Sequence, residues 1–276
     1  MNVLTFLSDF GMKSGYVGQM KGVALTLAPQ VKCVDISHDV PAHDIVAGAF
    51  ILRNSVGFFP KGTVHVAVVD PGVGTKRRGI VVLTQRHIFV GPDNGLLIPA
   101  ARFIGDFRVY EITNPRLQGD NASNTFHGRD IFTPVAAHVI NGISFDTIGP
   151  QIQDFVDLQF PRAEKNGSGF DAKVLFIDDF GNIITNIEEN QIKGTIRLGD
   201  KLILGSGSKK TSLRFVDSYG SVKKGELLAT IGSSGFLEIS VNQGIASKLL
   251  KKERNDMITL NFPGVSKDDP ILNDGQ

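Results

Sequence analysis

A single cysteine, Cys33, in 276 residues excludes an internal disulfide framework. It lies in an apolar run and is expected as a buried structural thiol. No apolar stretch approaches the roughly 18 residues needed to cross a bilayer. The first residues lack the basic segment of a secretory leader and read as a strand. Charge of one sign is missing too. The net balance is +1, which leaves no electrostatic footprint for nucleic acid or an anionic membrane surface. The patch Lys251-Lys252-Glu253-Arg254 is short and interrupted, as in a solvated loop. Metal signatures are scarce, with no H-E-x-x-H and no paired cysteines. The run Gly72-Val73-Gly74-Thr75-Lys76-Arg77 opens like a dinucleotide fingerprint but has Arg where the third glycine belongs, and it lacks the spacing of a P-loop. These absences fit a cytoplasmic protein without nucleic-acid or membrane partners. Hydrophobic residues at 41% and charged residues at 21% allow a sizeable core in one large or two ordinary domains.

The chain is organised around Val64-His65-Val66-Ala67-Val68-Val69-Asp70-Pro71-Gly72-Val73-Gly74, followed by Arg77 and Arg78. An unbroken β-branched run reads as a strand buried on both faces of a parallel sheet. It ends in a carboxylate and a proline that forbids further pairing. Two glycines then let the backbone turn sharply and approach a ligand. Two arginines follow, close enough to fold back over Asp70. Open α/β sheets place their chemistry at the carboxyl ends of such strands.

Around this stretch the pattern alternates. Val3–Leu7 and Val31–Ile36 read as strands, and Tyr16 to Leu27 as a helix stopped by Pro29. Asp44 is a plausible N-cap for a helix carrying Ile45, Val46, Ala49, Phe50 and Leu52. Ile80–Leu83 and His87–Val90 read as a strand pair, Leu96–Ile104 as a helix and Phe107–Ile112 as a strand. Ile131, Phe132, Val135, Ala136, Val139 and Ile140 form a helical apolar stripe, which leaves His127 just before its N-terminus. Residues 1–150 are thus expected as an α/β N-terminal domain with a central, mostly parallel sheet. Residues 151–169 have little periodicity and read as a linker. From 170 to 264, β-rich runs (172–177, 195–198, 202–204, 211–216, 227–231, 236–241 and 257–261) alternate with Gly/Ser turns, as in a small all-β barrel-like domain. Residues 265–276 read as a frayed tail.

Aspartate with a nearby glycine recurs where strands end: Asp9, Asp70, Asp93, and Asp178-Asp179-Phe180-Gly181-Asn182. Such pairs make turns. In a Gly-lined cleft one carboxylate also accepts two hydrogen bonds from a ribose diol, and another pairs with an ammonium group. Asn beside Phe suits an adenine, the amide reading its edge and the ring stacking on its face. Asp35, His38, Asp39, His43 and Asp44 lie within ten residues and supply metal-ligand chemistry without a fixed geometry.

Six segments run in order along the chain: Leu7-Ser8-Asp9-Phe10-Gly11, Val69 to Thr75, Gly91-Pro92-Asp93-Asn94-Gly95, Thr125-Phe126-His127-Gly128-Arg129-Asp130, Asp178 to Asn182, and Gly232-Ser233-Ser234-Gly235-Phe236-Leu237-Glu238. Taken together, they resemble the S-adenosyl-L-methionine hydroxide adenosyltransferases (adenosine-forming hydrolases), relatives of the fluorinases and chlorinases. The resemblance implies a water-activating trio of Asp70, Arg77 and His127. It implies Asp9 on the ribose diol, Asp178 and Ser233 on the amino-acid end, and Phe180 and Asn182 on the adenine. Glu238 and Val241 lie in the matching C-terminal run. His43 stands where the halogenating relatives stack a tryptophan on the base. The implied reaction is SN2 hydrolysis of S-adenosyl-L-methionine at C5′, with no cofactor and no metal. The implied assembly is a homotrimer with sites at subunit interfaces. Two alternatives remain at this point: a non-catalytic adenosine or S-adenosylmethionine sensor, and a metal-dependent hydrolase built on the His38/His43 loop.

Overall fold

A computed structural model describes residues 2–119, 122–206 and 209–262; the expected frayed tail lies outside them. The chain divides into two compact units, Met1–Gln159 and Phe160–Gln276. None of the described helices is long and apolar enough to cross a membrane.

In the first unit the order is β1 (Val3–Ser8), α1 (Tyr16–Leu27), β2 (Lys32–Ser37), α2 (Ile45–Val56), β3 (Thr63–Val68), β4 (Gly79–Thr84), β5 (His87–Pro92), α3 (Ile98–Ile104), β6 (Phe107–Glu111), α4 (Thr133–Ile140), α5 (Phe145–Ile148) and β7 (Gln151–Ile152). The described strands form one sheet of order β2-β1-β3-β5-β4-β6-β7. β1, β2, β3, β5 and β6 run one way and β4 and β7 against them, a mostly parallel sheet. Every residue of β3 is buried, as its mainly apolar run requires, and His65 is buried with the rest. Leu4, Phe6, Val64, Val66 and Val68 pack with Met20 and Ala24 of α1 and Val135, Ala136 and Val139 of α4. On the opposite face α2 comes so close that a Cβ on Gly48 would meet Leu96 and Val69 at 2.9–3.0 Å. Asp44 caps α2 as expected, accepting the Ala47 amide at 2.9 Å. Cys33 sits on edge strand β2 and is half-buried rather than buried, because an edge strand has a covering neighbour on one side only.

The α2 face of the sheet carries an unusual pair. His65 Nδ1 bonds Thr5 Oγ1 at 2.7 Å, and its ring stacks on Phe89 and meets His87 edge-on. Nε2 of His65 is buried without a partner among the described residues, and the buried ring nitrogens of His87 face the Thr63 and Val56 backbone without a well-aligned bond. Burial, then the neighbouring His87, pushes the His65 pKa down to about 3. Burial, then Arg86, lowers that of His87. The unfolded chain therefore takes up protons below about pH 6.5 that the native state refuses, and stability falls as pH drops through that window. Each such group costs up to about 1.4 kcal/mol per pH unit. Urea unfolding is expected to show wild type losing about 2 kcal/mol between pH 6.5 and 5 through His65, whereas His65→Phe flattens the slope. An unchanged slope in the variant refutes this.

The second unit contains β8 (Glu164–Asn166), β9 (Gly169–Ile177), β10 (Ile183–Glu188), α6 (Glu189–Ile192), β11 (Lys201–Ser206), β12 (Lys209–Phe215), β13 (Leu227–Ile231), β14 (Phe236–Val241), α7 (Ala246–Leu250) and β15 (Met257–Asn261). The order β10-β14-β13-β12-β11-β15-β9 closes on itself because β9 also pairs with β10. Among the described residues this makes a seven-strand barrel, with β8 attached outside the ring along β9. Phe170, Leu202, Leu204, Leu237, Ile239 and Leu260 fill its core.

Two expectations fail here. Residues 195–198 form no strand; left-handed Gly194 and Gly199 (φ 81° and 93°) bracket them as a loop. β10 escapes sequence reading because Thr185 and Asn186 break its apolar run. Both are buried at a register shift and satisfy backbone groups displaced there. Thr185 Oγ1 donates to the Leu237 carbonyl, and Asn186 bonds the Lys173 amide and the Pro161 carbonyl. The stretch read as a linker carries β7 and β8, and between them Asp154, Val156 and Asp157 are tied to Arg78, Asp93 and Arg102.

Candidate active site

Asp70 lies two residues beyond β3, and the loop that follows brings Arg77 back over it. Arg77 Nε donates to Asp70 Oδ1 at 3.1 Å and Nη2 to Oδ2 at 2.5 Å. The same Nη2 reaches His127 Nδ1 at 3.0 Å. Nη1 donates to the Arg78 carbonyl at 3.0 Å, and the guanidinium lies 5.3 Å from the Phe132 ring centroid. The ion pair is nearly sealed, with the Arg77 and Asp70 side chains 9% and 4% exposed. Arg77 thus bridges the acid and the imidazole.

Two backbone features make this possible. Gly74 is left-handed (φ 75°), and a Cβ there would lie 2.4 Å from the Asn124 carbonyl oxygen. The close approach of these two loops brings Arg77 to His127. Gly72 requires no such freedom. His127 itself precedes a π turn, Gly128–Phe132, closed by the Thr133 amide on the Gly128 carbonyl; such turns recur at functional sites. Pro134 has no N–H to give the Asp130 carbonyl, and the Gly119 amide fills that place at 2.8 Å. Arg129 holds Asp130 through two bonds and Gln19 through a third, and lies over Phe126.

Since Arg77 only donates, His127 Nδ1 accepts and the ring proton resides on Nε2. Nε2 has no partner among the described residues. Burial, then the Arg77 charge, lowers the His127 pKa and keeps the ring neutral, with Asp70 and Asp130 opposing.

Arg78 does not join Asp70 as the sequence led us to expect. Successive residues entering a strand face opposite ways, and Arg78 pairs with buried Asp93 and with Asp154. Asp93 also accepts the Val156 amide, and Asn94 donates to the Val69 carbonyl. The Asp93 turn is therefore structural.

Asp9 follows β1, the neighbour of β3. Its Oδ2 accepts the His43 amide at 2.9 Å, presented by a left-handed His43 (φ 65°). Oδ1 is left open among the described residues. The His43 ring lies outside, Nδ1 3.9 Å from that carboxylate. His38 spends both ring nitrogens, on Ser8 and on Asp35, so it has none for a metal. No group of three metal-ligating side chains occurs among the described residues. Sequence reading missed the edge-to-face cluster of Phe10, Tyr16 and Phe126, centroids 5.0–6.0 Å apart. Its signal was present, since Phe10 follows Asp9 and Phe126 precedes His127.

In the barrel, Asp178 holds its own turn. Oδ1 accepts the Phe180 and Asn182 amides and Oδ2 the Asn182 side chain, at 2.8–3.0 Å. Asn182 is buried while the Phe180 ring stands out, 78% exposed. Glu238 is buried on β14. Its Oε1 accepts Tyr219 Oη at 2.8 Å and Ser240 Oγ at 2.6 Å; Oε2 has no partner among the described residues and faces Gly232. Burial, then Glu238, raises the Tyr219 pKa to about 12, so its hydroxyl remains a donor. Tyr219 sits in a polar loop with no motif to single it out. Ser233 is exposed at the β13–β14 turn, and Val241 packs in the barrel core.

Residues 4–149 match the SAM hydroxide adenosyltransferase N-terminal domain and 172–259 its C-terminal domain. A curated (R)-S-adenosyl-L-methionine hydrolase of Salinispora tropica is 38% identical over 90% of this chain and 93% of its own. One from Methanocaldococcus jannaschii is 35% identical over 94% and 96%. A crystal structure of a conserved protein from Thermotoga maritima superposes with a TM-score of 0.89 at 36% identity, covering 94% of this chain and 99% of that one.

Proposed function

The chain belongs to the SAM hydroxide adenosyltransferase family, and from that membership we propose that it hydrolyses S-adenosyl-L-methionine to adenosine and L-methionine. The observation that carries the reading is Arg77 joining Asp70 to His127 at the carboxyl end of β3. Water attacks C5′ in line with the C–S bond. The O–C5′ bond forms as C5′–S breaks, and sulfur leaves with the bonding pair as a neutral thioether. No general acid is needed.

The hydrogen bonds divide the labour between the two partners of Arg77. Neutral His127 offers Nε2–H and therefore donates to the attacking oxygen. Asp70 retains a lone pair on each oxygen beside its bonds to Arg77 and takes the proton. Positioned proton acceptance contributes typically 10²–10⁴-fold, and holding the nucleophile in line supplies the rest. In H₂¹⁸O the label is expected in the adenosine 5′-hydroxyl, with methionine unlabelled. Absence of both products makes the protein a sensor instead. His127→Gln keeps an N–H donor of similar reach, so it is expected to retain at least about tenfold more activity than His127→Ala. Equal loss in both makes His127 the base.

Asp9, with its open Oδ1, is assigned to the ribose diol. Phe180 and Asn182 are assigned to adenine, and Asp178, Ser233 and Glu238 to the amino-acid end. Val241 is assigned as core support for that strand. An exposed Phe180 ring on a barrel turn fits a site completed between subunits of a cytoplasmic homotrimer. Light scattering tests the trimer. Turnover needs no added cofactor or metal, and a chelator is expected to leave the rate unchanged.

A further inference from the structure

The mechanism leaves unused a line of polar side chains in the first unit. Lys21 Nζ of α1 donates to Asp35 Oδ2 on β2 at 2.6 Å. Asp35 Oδ1 meets His38 Nε2 at 3.1 Å, and His38 Nδ1 meets Ser8 Oγ at 2.7 Å. Ser8 Oγ in turn receives the Phe10 amide at 3.3 Å. Ser8 and His38 are 0% and 3% exposed.

With a neutral imidazole each bond has one direction. Charged Asp35, paired with Lys21, only accepts, so His38 carries its proton on Nε2. Nδ1 is then bare and accepts the Ser8 hydroxyl proton, which leaves Ser8 oxygen lone pairs for the Phe10 amide. A Ser-His-Asp hydrolytic role is excluded. Ser8 is sealed from solvent, and the imidazole faces it through the nitrogen that such triads turn toward the acid.

What the line does is grip Asp9 from both sides, through the Ser8 side chain and the Phe10 amide. The His38 carbonyl adds a third hold, accepting the amide of left-handed Gly11 at 2.8 Å. Five residues on, the loop beyond His38 supplies the His43 amide to Asp9 Oδ2. We propose that His38 is a positioning residue for the substrate, acting through Ser8 to fix the turn that aims the Asp9 carboxylate. This rests on the assignment of Asp9 to the ribose diol. It places the effect of His38 in substrate affinity and outside the chemical step.

The test compares kcat and KM for S-adenosyl-L-methionine and its 2′-deoxy analogue in wild type, His38→Ala, Ser8→Ala and Asp9→Ala. His38→Ala and Ser8→Ala are each expected to raise KM about tenfold for the natural substrate, the weight of one well-placed hydrogen bond to a charged group. Their kcat stays within about threefold of wild type. On the 2′-deoxy analogue, where the diol contact is already broken, neither substitution adds to KM. A general loss of structure would raise both KM values alike. Should His38→Ala not fold, judged by its melting transition, Ser8→Ala carries the same comparison. If Asp9→Ala loses discrimination against the analogue while both relay variants keep it, the relay is refuted and the diol assignment stands. If Asp9→Ala discriminates like wild type, the diol assignment itself falls, and the proposal with it. A drop in kcat at unchanged KM in the relay variants also overturns it.

Discussion

Arg77→Ala is expected to cut single-turnover hydrolysis by at least about 10³-fold and to destabilise the N-terminal unit by about 3–5 kcal/mol. The two losses share one cause. Asp70 is nearly sealed, and removing its partner leaves an uncompensated buried carboxylate, whose cost is of that order. The same deletion frees His127 Nδ1, so the tautomer that presents Nε2–H is no longer enforced. Acid and imidazole then lose their fixed separation together. Arg77→Lys is expected to recover part of the stability and little of the rate. An ammonium places one charge, whereas the guanidinium serves two carboxylate oxygens, an imidazole and a carbonyl from one plane. Denaturant unfolding and rapid quench measure the two effects separately. Wild-type rates in Arg77→Ala remove the basis of the proposed mechanism.

Gly74→Ala is expected to lower the chemical rate by at least about 10²-fold with little change in far-ultraviolet dichroism. An L-residue in the left-handed region costs about 1–2 kcal/mol. The greater difficulty is the new Cβ, 2.4 Å from the Asn124 carbonyl oxygen. That oxygen belongs to backbone and does not swing aside, so the two loops must separate. A misplacement of about 1 Å costs on the order of 10² in rate. Gly72→Ala is the control. A Cβ there finds its nearest neighbours at 3.6–3.7 Å, ordinary contact distances, and its rate is expected to remain near that of wild type. Equal effects from the two substitutions would mean that the approach of the loops is unimportant.

These two glycines also mark what the sequence could convey. That the loop after Val69 must turn was legible from Gly72 and Gly74 together; which of them the geometry requires depends on Asn124, some fifty residues away. The parallel core was legible because β3 is a mainly apolar run, buried on both faces although it carries His65. The π turn was not, since Pro134 and Gly119 decide it jointly across the fold. Strand β10 was hidden by Thr185 and Asn186, polar residues whose burial is explained only by the displaced backbone groups they satisfy. For the site, the trio was read from a resemblance, and its order of bonding is visible only in the folded structure. Tyr219 was invisible because nothing local distinguishes a tyrosine that sets a buried glutamate from one on a solvated loop.

The divergent paths of Arg77 and Arg78 bear on how this loop can change length. Neighbouring side chains diverge as the backbone enters β4, so one guanidinium serves the reaction while the next staples the 154–156 strap through Asp93 and Asp154. Deleting or inserting a single residue between Gly74 and Arg77 would slide the pair by one place against its partners. After an insertion Asp70 would face Lys76; after a deletion it would face Arg78, and the strap would meet Gly79 and lose its anchor. The loop is therefore free to vary in the identity of residues such as Lys76, yet frozen in number, a constraint on frame shorter than any the sheet itself imposes.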